Sequence, residues 1–146
     1  MLKHISLALL LAAAPALAQQ GQPGGHFVQV WDIDGDGKVT VDEATERRGD
    51  IFASFDANED GFLDAEEYVL FDEARNTDLA THAGGPGGGA MMRAADGMLL
   101  ERNDTDGDGK VSLEEFLGQV PAWVAAMDRT GDGVVTTDDF GPGAGN

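Results

Sequence analysis

Apolar residues recur along this chain in small clusters, each four and five places ahead of an acidic stretch: Phe27/Val28, Ile51/Phe52, Leu99/Leu100 and Trp123/Val124. With Trp31, Phe55 and Met127 directly before three of those stretches, each cluster makes one greasy stripe on a short incoming helix. Beyond the acidic stretches, Tyr68/Phe71 and Phe116/Leu117/Val120 supply the apolar face of outgoing helices. The pattern predicts an all-α fold of helix–loop–helix units. One short antiparallel bridge is expected in each half, where Val39 meets Leu63 and Val111 meets Val135. Only twelve residues separate the loops of a half, Ala44 to Phe55 and Phe116 to Met127. Gly49 and Pro121 sit at equivalent places in these connectors, each a helix breaker or a fresh helix start, which favours two stubby helices over one continuous one.

The acidic stretches share one twelve-residue grammar. They run 32–43, 56–67, 104–115 and 128–139, with Gly37, Gly61, Gly109 and Gly133 at place 6. The first three satisfy the full D-x-[DN]-x-[DN]-G-x5-E pattern of a calcium loop. Calcium takes six to eight oxygens, which such a loop supplies from places 1, 3, 5, 7, 9 and 12. Places 1, 3 and 5 are Asp32/Asp34/Asp36, Asp56/Asn58/Asp60, Asp104/Asp106/Asp108 and Asp128/Thr130/Asp132. Short side chains at alternate positions let carboxylates converge as the backbone curls, and place 6 needs a turn that a β-carbon would obstruct. Place 7 (Lys38, Phe62, Lys110, Val134) offers only its main-chain carbonyl, so its side chain varies. Place 9 (Thr40, Asp64, Ser112, Thr136) acts through water. Place 12 closes the cage with Glu43, Glu67 and Glu115, but with the shorter Asp139 in the fourth loop. The fourth site is therefore expected to be the weakest, or the most tolerant of magnesium.

Moving the segment 32–67 along by 72 places lays it on 104–139, and eight of the first twelve positions are then identical. The chain is an internal repeat of a two-loop unit. The expected units are 27–79 and 91–140, joined across 80–90. There Thr81 to Gly89 reads as a glycine-rich linker that cannot hold a helix, and 141–146 reads as a flexible tail. At the N-terminus Lys3 and His4 precede the apolar run Ile5 to Ala14 and the small-x-small site Ala16-Leu17-Ala18. This predicts a signal peptide over 1–18, cleaved after Ala18, and a periplasmic or secreted product without lipid attachment or membrane insertion.

The chain carries 27 acidic against 9 basic residues, a formal net charge of −18. Twenty of the acids lie inside the four loops, so the acidity is mostly site chemistry. Such a charge argues against nucleic acid or an anionic membrane as a partner. With no cysteine, disulfides, thiolate catalysis and zinc–cysteine sites are excluded together, and bound metal is the expected staple of so small a chain. Ser54 and Ser112 have no histidine arrangement nearby, and no enzyme is expected. His26 and His82 read as solvated spacers among glycines, Arg47/Arg48 as a solvated helix end, and Met91, Met92 and Met98 as packing for the helix before the third loop.

These loops make the chain resemble the EF-hand proteins over roughly 27–79 and 91–140, above all the small exported bacterial kind with closely spaced loops. The resemblance implies up to four Ca2+ ions held by the places named above, with Mg2+ or a lanthanide as further candidates. It implies a monomer acting as a calcium buffer or sensor, or a module that exposes Phe52, Phe55, Leu99 and Met98 to a protein partner on binding. The spacing of 24 residues between loops of a half also resembles the lanmodulin family of exported lanthanide binders. That family places Pro at loop place 2, where this chain has Ile33, Ala57, Thr105 and Arg129. Dockerin modules share paired calcium loops, but three Glu at place 12 and the apolar incoming stripes separate this chain from them.

Overall fold

In the computed structural model, residues 22–82 and 88–141 are described. The expected signal peptide, the middle of the glycine stretch and all but the first residue of the tail lie outside them. The elements are α1 (Gly25–Trp31), α2 (Val41–Phe55), β1 (Phe62–Leu63), α3 (Ala65–His82), α4 (Gly88–Asp96), α5 (Leu100–Asn103), β2 (Val111–Ser112), α6 (Leu113–Gly118) and α7 (Val120–Met127), followed by a 3-10 turn, Thr137–Asp139. Among the described residues, no helix is long and apolar enough to cross a membrane.

The first connector is one helix, contrary to the expected break at Gly49. α2 starts on a capping box, in which the Thr40 hydroxyl accepts from the Glu43 N–H while the Glu43 carboxylate accepts from the Thr40 N–H. It is then clamped by the buried Ala44, Arg48 and Phe52. A glycine in a helix interior costs about 1 kcal/mol, less than this anchoring returns. The second connector does break. α6 ends at Gly118 and α7 restarts at Val120 with Pro121 in its first turn, where a missing N–H is harmless.

The unbroken α2 overturns the expected loop pairing. Fifteen residues of helix at about 1.5 Å each span roughly 22 Å, which carries the second loop to the opposite end from the first. α2 packs against α6 and α7. Val39 accordingly bridges Val135, joining loops one and four. β1 pairs antiparallel with β2, Phe62 facing Ser112 and Leu63 facing Val111, joining loops two and three. The four valine and leucine side chains of these bridges are fully buried. The two sequence halves are thus interleaved around one core instead of forming separate pairs.

That core takes Phe27, Trp31, Phe52, Tyr68 and Phe71 from the first half and Met91, Met98, Phe116, Trp123, Met127 and Phe140 from the second. Met92 stays exposed. Phe140, just after the last loop, packs at a tilt against Phe27 and closes over Gly24, where a β-carbon would strike its ring. The expected linker is shorter than 80–90. Thr81 and His82 complete α3, Thr81 donating to the Thr77 carbonyl at 2.8 Å. Gly88 and Gly89 open α4, at positions where helix N–H groups lack partners anyway.

Arg48 is the largest departure from expectation. Its side chain is fully buried. It donates to the Phe116 carbonyl (2.6 Å), the Gly97 carbonyl (3.0 Å) and Asn103 Oδ1 (3.2 Å). The guanidinium also lies over the Phe116 and Trp123 rings, and no carboxylate pairs with it among the described residues. Burial pushes its pKa down to about 10, which leaves it charged at neutral pH. Asn103 donates to the Gly97 and Leu99 carbonyls, and the Tyr68 hydroxyl donates to that of Met98. One polar knot thereby fixes the turn between α4 and α5.

Candidate metal centre

Each acidic loop is organised by its own carboxylates. In the first, Asp32 accepts from the Gly35 and Gly37 N–H groups at 2.7 and 2.8 Å, Asp34 from Asp36, and Asp36 from Lys38. The pattern repeats with Asp56, Asn58 and Asp60, and with Asp104, Asp106 and Asp108. These bonds fold the loop into a bowl whose rim is carboxylate. Ligand oxygens of Asp32/Asp34/Asp36, of Asp56/Asp60/Glu67 and of Asp104/Asp106/Asp108 lie within 4.8 Å of one another.

Place 12 serves two structures at once. One oxygen of Glu43 accepts from the N–H groups of places 2 and 3, Ile33 and Asp34, while the other accepts from the N–H of Thr40. Glu67 and Glu115 repeat this. The place-12 carboxylate that ties the loop's start to its end is therefore also the capping residue of the outgoing helix, so loop closure and helix initiation are one event. The Ser112 N–H, aided by Thr105 and Asp106, holds the Glu115 carboxyl down at about 2 despite some loss of water.

The rim shows the opposite strain. At Asp34 the Asp36 N–H favours the charged form, but lost hydration and the facing carboxylates of Asp36, Glu43 and Asp32 outweigh it and raise the pKa. Asp106 is raised in the same way, with Asp108 and Glu115 as the facing charges. Clustered like charges of this kind are relieved by a cation placed among them. An oxygen-only donor set of three or four carboxylates with main-chain carbonyls fits a hard dication.

The fourth loop differs. Asp128 accepts from Gly131, Asp132 and Gly133, and the Thr130 hydroxyl turns to Asp128 at 3.3 Å. Asp139 fills place 12, accepting from Arg129, Thr130 and Thr136, and is completely buried. Its shorter side chain reaches these donors because a 3-10 turn replaces the outgoing helix. Of the place-7 residues, Lys110 lays its ammonium 4.0 Å from the centre of the Phe62 ring, tying loops two and three together.

Sequence reasoning explained place 6 and missed place 4. Gly35, Gly107 and Gly131 adopt φ of 79°, 74° and 78°, but loop two puts Glu59 there at φ 56°. Glu59→Gly should stabilise the protein by about 0.5 kcal/mol, the left-handed cost of about 1 kcal/mol less roughly 0.5 kcal/mol for glycine's greater freedom when unfolded. Urea denaturation measures it, and a variant less stable than wild type refutes it. Sequence reasoning also dismissed His26 and His82, which the fold brings into contact with each other.

Three carboxylate-rimmed loops set between helices, with a fourth loop that runs into a 3-10 turn, give the chain the donor arrangement of a metal-binding helix–loop–helix protein. A family model described as EF hand matches residues 49–71 and 100–118, which contain the whole of the second and third loops. Over 81 residues the chain is 32% identical to polcalcin Cup a 4 of Hesperocyparis arizonica, a match covering 56% of this chain and 42% of that protein. Over these segments the chain is similar to EF-hand calcium-binding proteins, and it spans less than half the length of the curated relative it matches.

Proposed function

We propose that the protein binds calcium at all four loops outside the cytoplasm and buffers or senses it there. The observation that carries this reading is the double duty of Glu43, Glu67, Glu115 and Asp139, which each bind the loop's N–H groups and cap the following turn, an arrangement that would couple ion capture to helix initiation. Export rests on the basic–apolar–small-residue pattern of 1–18. Extracellular EF-hand modules work at dissociation constants of about 10⁻⁴–10⁻³ M. A site held at a hundred times its dissociation constant adds about 2.7 kcal/mol to stability when only the folded form binds. Chelation should therefore lower helical circular dichroism and the melting temperature, and millimolar calcium should restore both. Native mass spectrometry with calcium, magnesium and lanthanum should show three calcium ions filling first and a fourth at higher concentration. Failure to retain calcium, or helicity unchanged by chelator, refutes the proposal. Retention of lanthanum against excess calcium transfers the role to lanthanide handling.

A cleft of about 190 Å³, lined by Val30, Trp31, Ile51, Phe71, Leu79 and Met91, favours a second reading, the calcium-dependent interaction module. Phe52 and Met98, expected as the exposed surface of that module, are buried in the core. Calcium-dependent uptake of an apolar dye separates this reading from a plain buffer.

A further inference from the structure

Away from the loops, α1 and the end of α3 bring two histidines and an aspartate together. Asp78 and His82 are one turn apart on α3 and so share a face, while His26 arrives from α1, 52 residues before Asp78. Asp78 Oδ1 lies 2.9 Å from His26 Nε2 and 3.1 Å from His82 Nδ1. The two imidazoles are stacked, their centres 3.5 Å apart and their planes 10° from parallel. Arg75, three residues before Asp78, pairs with Asp72 at 2.9 Å. The side chains are one-third to one-half exposed, so the group is open to solutes.

We propose that His26, Asp78 and His82 form a three-ligand site for a divalent transition ion of the Zn2+ type, chemically distinct from the calcium loops. Ligand atoms of a tetrahedral ion with bonds of about 2.0–2.1 Å sit roughly 3.3 Å apart. The two contacts at Asp78 are within a few tenths of an ångström of that, and all three ligand atoms lie within 4.8 Å of one another. Because the rings are stacked, the imidazoles must turn apart about their Cβ–Cγ bonds for both nitrogens to aim at one ion. Two nitrogens and one oxygen suit zinc, copper or nickel, whereas calcium and lanthanides require oxygen throughout. Three protein ligands leave the fourth position to water. A bound ion would staple α1, which leads into loop one, to α3, which leads out of loop two.

The test is titration of untagged protein with Zn2+ in excess calcium, so that the loops are already filled. Wild type should take up one zinc equivalent, and cobalt in its place should give the visible bands of a histidine-ligated ion. His26→Gln and His82→Gln should each weaken zinc binding by more than about tenfold, with calcium stoichiometry and helicity unchanged. Asp78→Asn should weaken it as well. The proposal is overturned if calcium-loaded wild type takes up no zinc, or if the His26→Gln/His82→Gln double variant binds it as wild type does. Because calcium binding is counted separately, loss of the zinc site and failure of the calcium reading are distinguishable.

Discussion

Replacing Arg48 with alanine should lower stability in saturating calcium by about 3 kcal/mol, a large share of the 5–15 kcal/mol typical of a folded domain. The substitution strips partners from three acceptors, the carbonyls of Phe116 and Gly97 and Oδ1 of Asn103. It also opens a void between the Phe116 and Trp123 rings. Unsatisfied buried acceptors cost about 1–3 kcal/mol each. The sum is partly offset because a desolvated cation is no longer held without a counter-ion. Arg48→Lys should recover little, since one ammonium cannot reach acceptors spread across a planar fork. Arg48→Met should be milder than alanine, because it refills the volume. Urea denaturation of the three variants gives the ranking, and an alanine variant within 0.5 kcal/mol of wild type refutes the account.

The loops were legible in the sequence because their grammar is local. Twelve contiguous residues contain the ligands, the glycine that permits the turn and the carboxylate that caps the next helix. The association of the loops was not legible, because it depends on whether Gly49 breaks a helix. That is decided by Phe52 and Arg48 reaching residues of the other half. Arg48 itself follows Arg47 in a polar run and carries no local sign of burial. Its acceptors lie 49 to 68 positions away. The meeting of His26 and His82 is hidden for the same reason: His26 lies 52 residues from Asp78, and Asp78 shares a face with His82 only once α3 has formed. Phe140 shows the converse. A single apolar residue after the last loop packs against Phe27 and covers that end of the core.

Separating the halves should abolish the fold where a chain of two independent loop pairs would survive. Fragments 19–82 and 88–146 each hold one member of both loop pairs. Val39 is left without Val135, and Phe62/Leu63 without Val111/Ser112. Each fragment also exposes apolar surface that the other covers, α2 having packed on α6 and α7 and α3 on α4. Both cuts leave a strongly acidic piece with too little core to offset its own charge repulsion. Each fragment alone in millimolar calcium should therefore show little helical circular dichroism. An equimolar mixture should regain it as a one-to-one complex, with calcium as the condition for assembly. Dilution should reverse the recovery, because joining the halves by chain connectivity is what keeps them at high local concentration. A first-half fragment that folds alone with loops one and two paired would show that the interleaved arrangement is not the stable one.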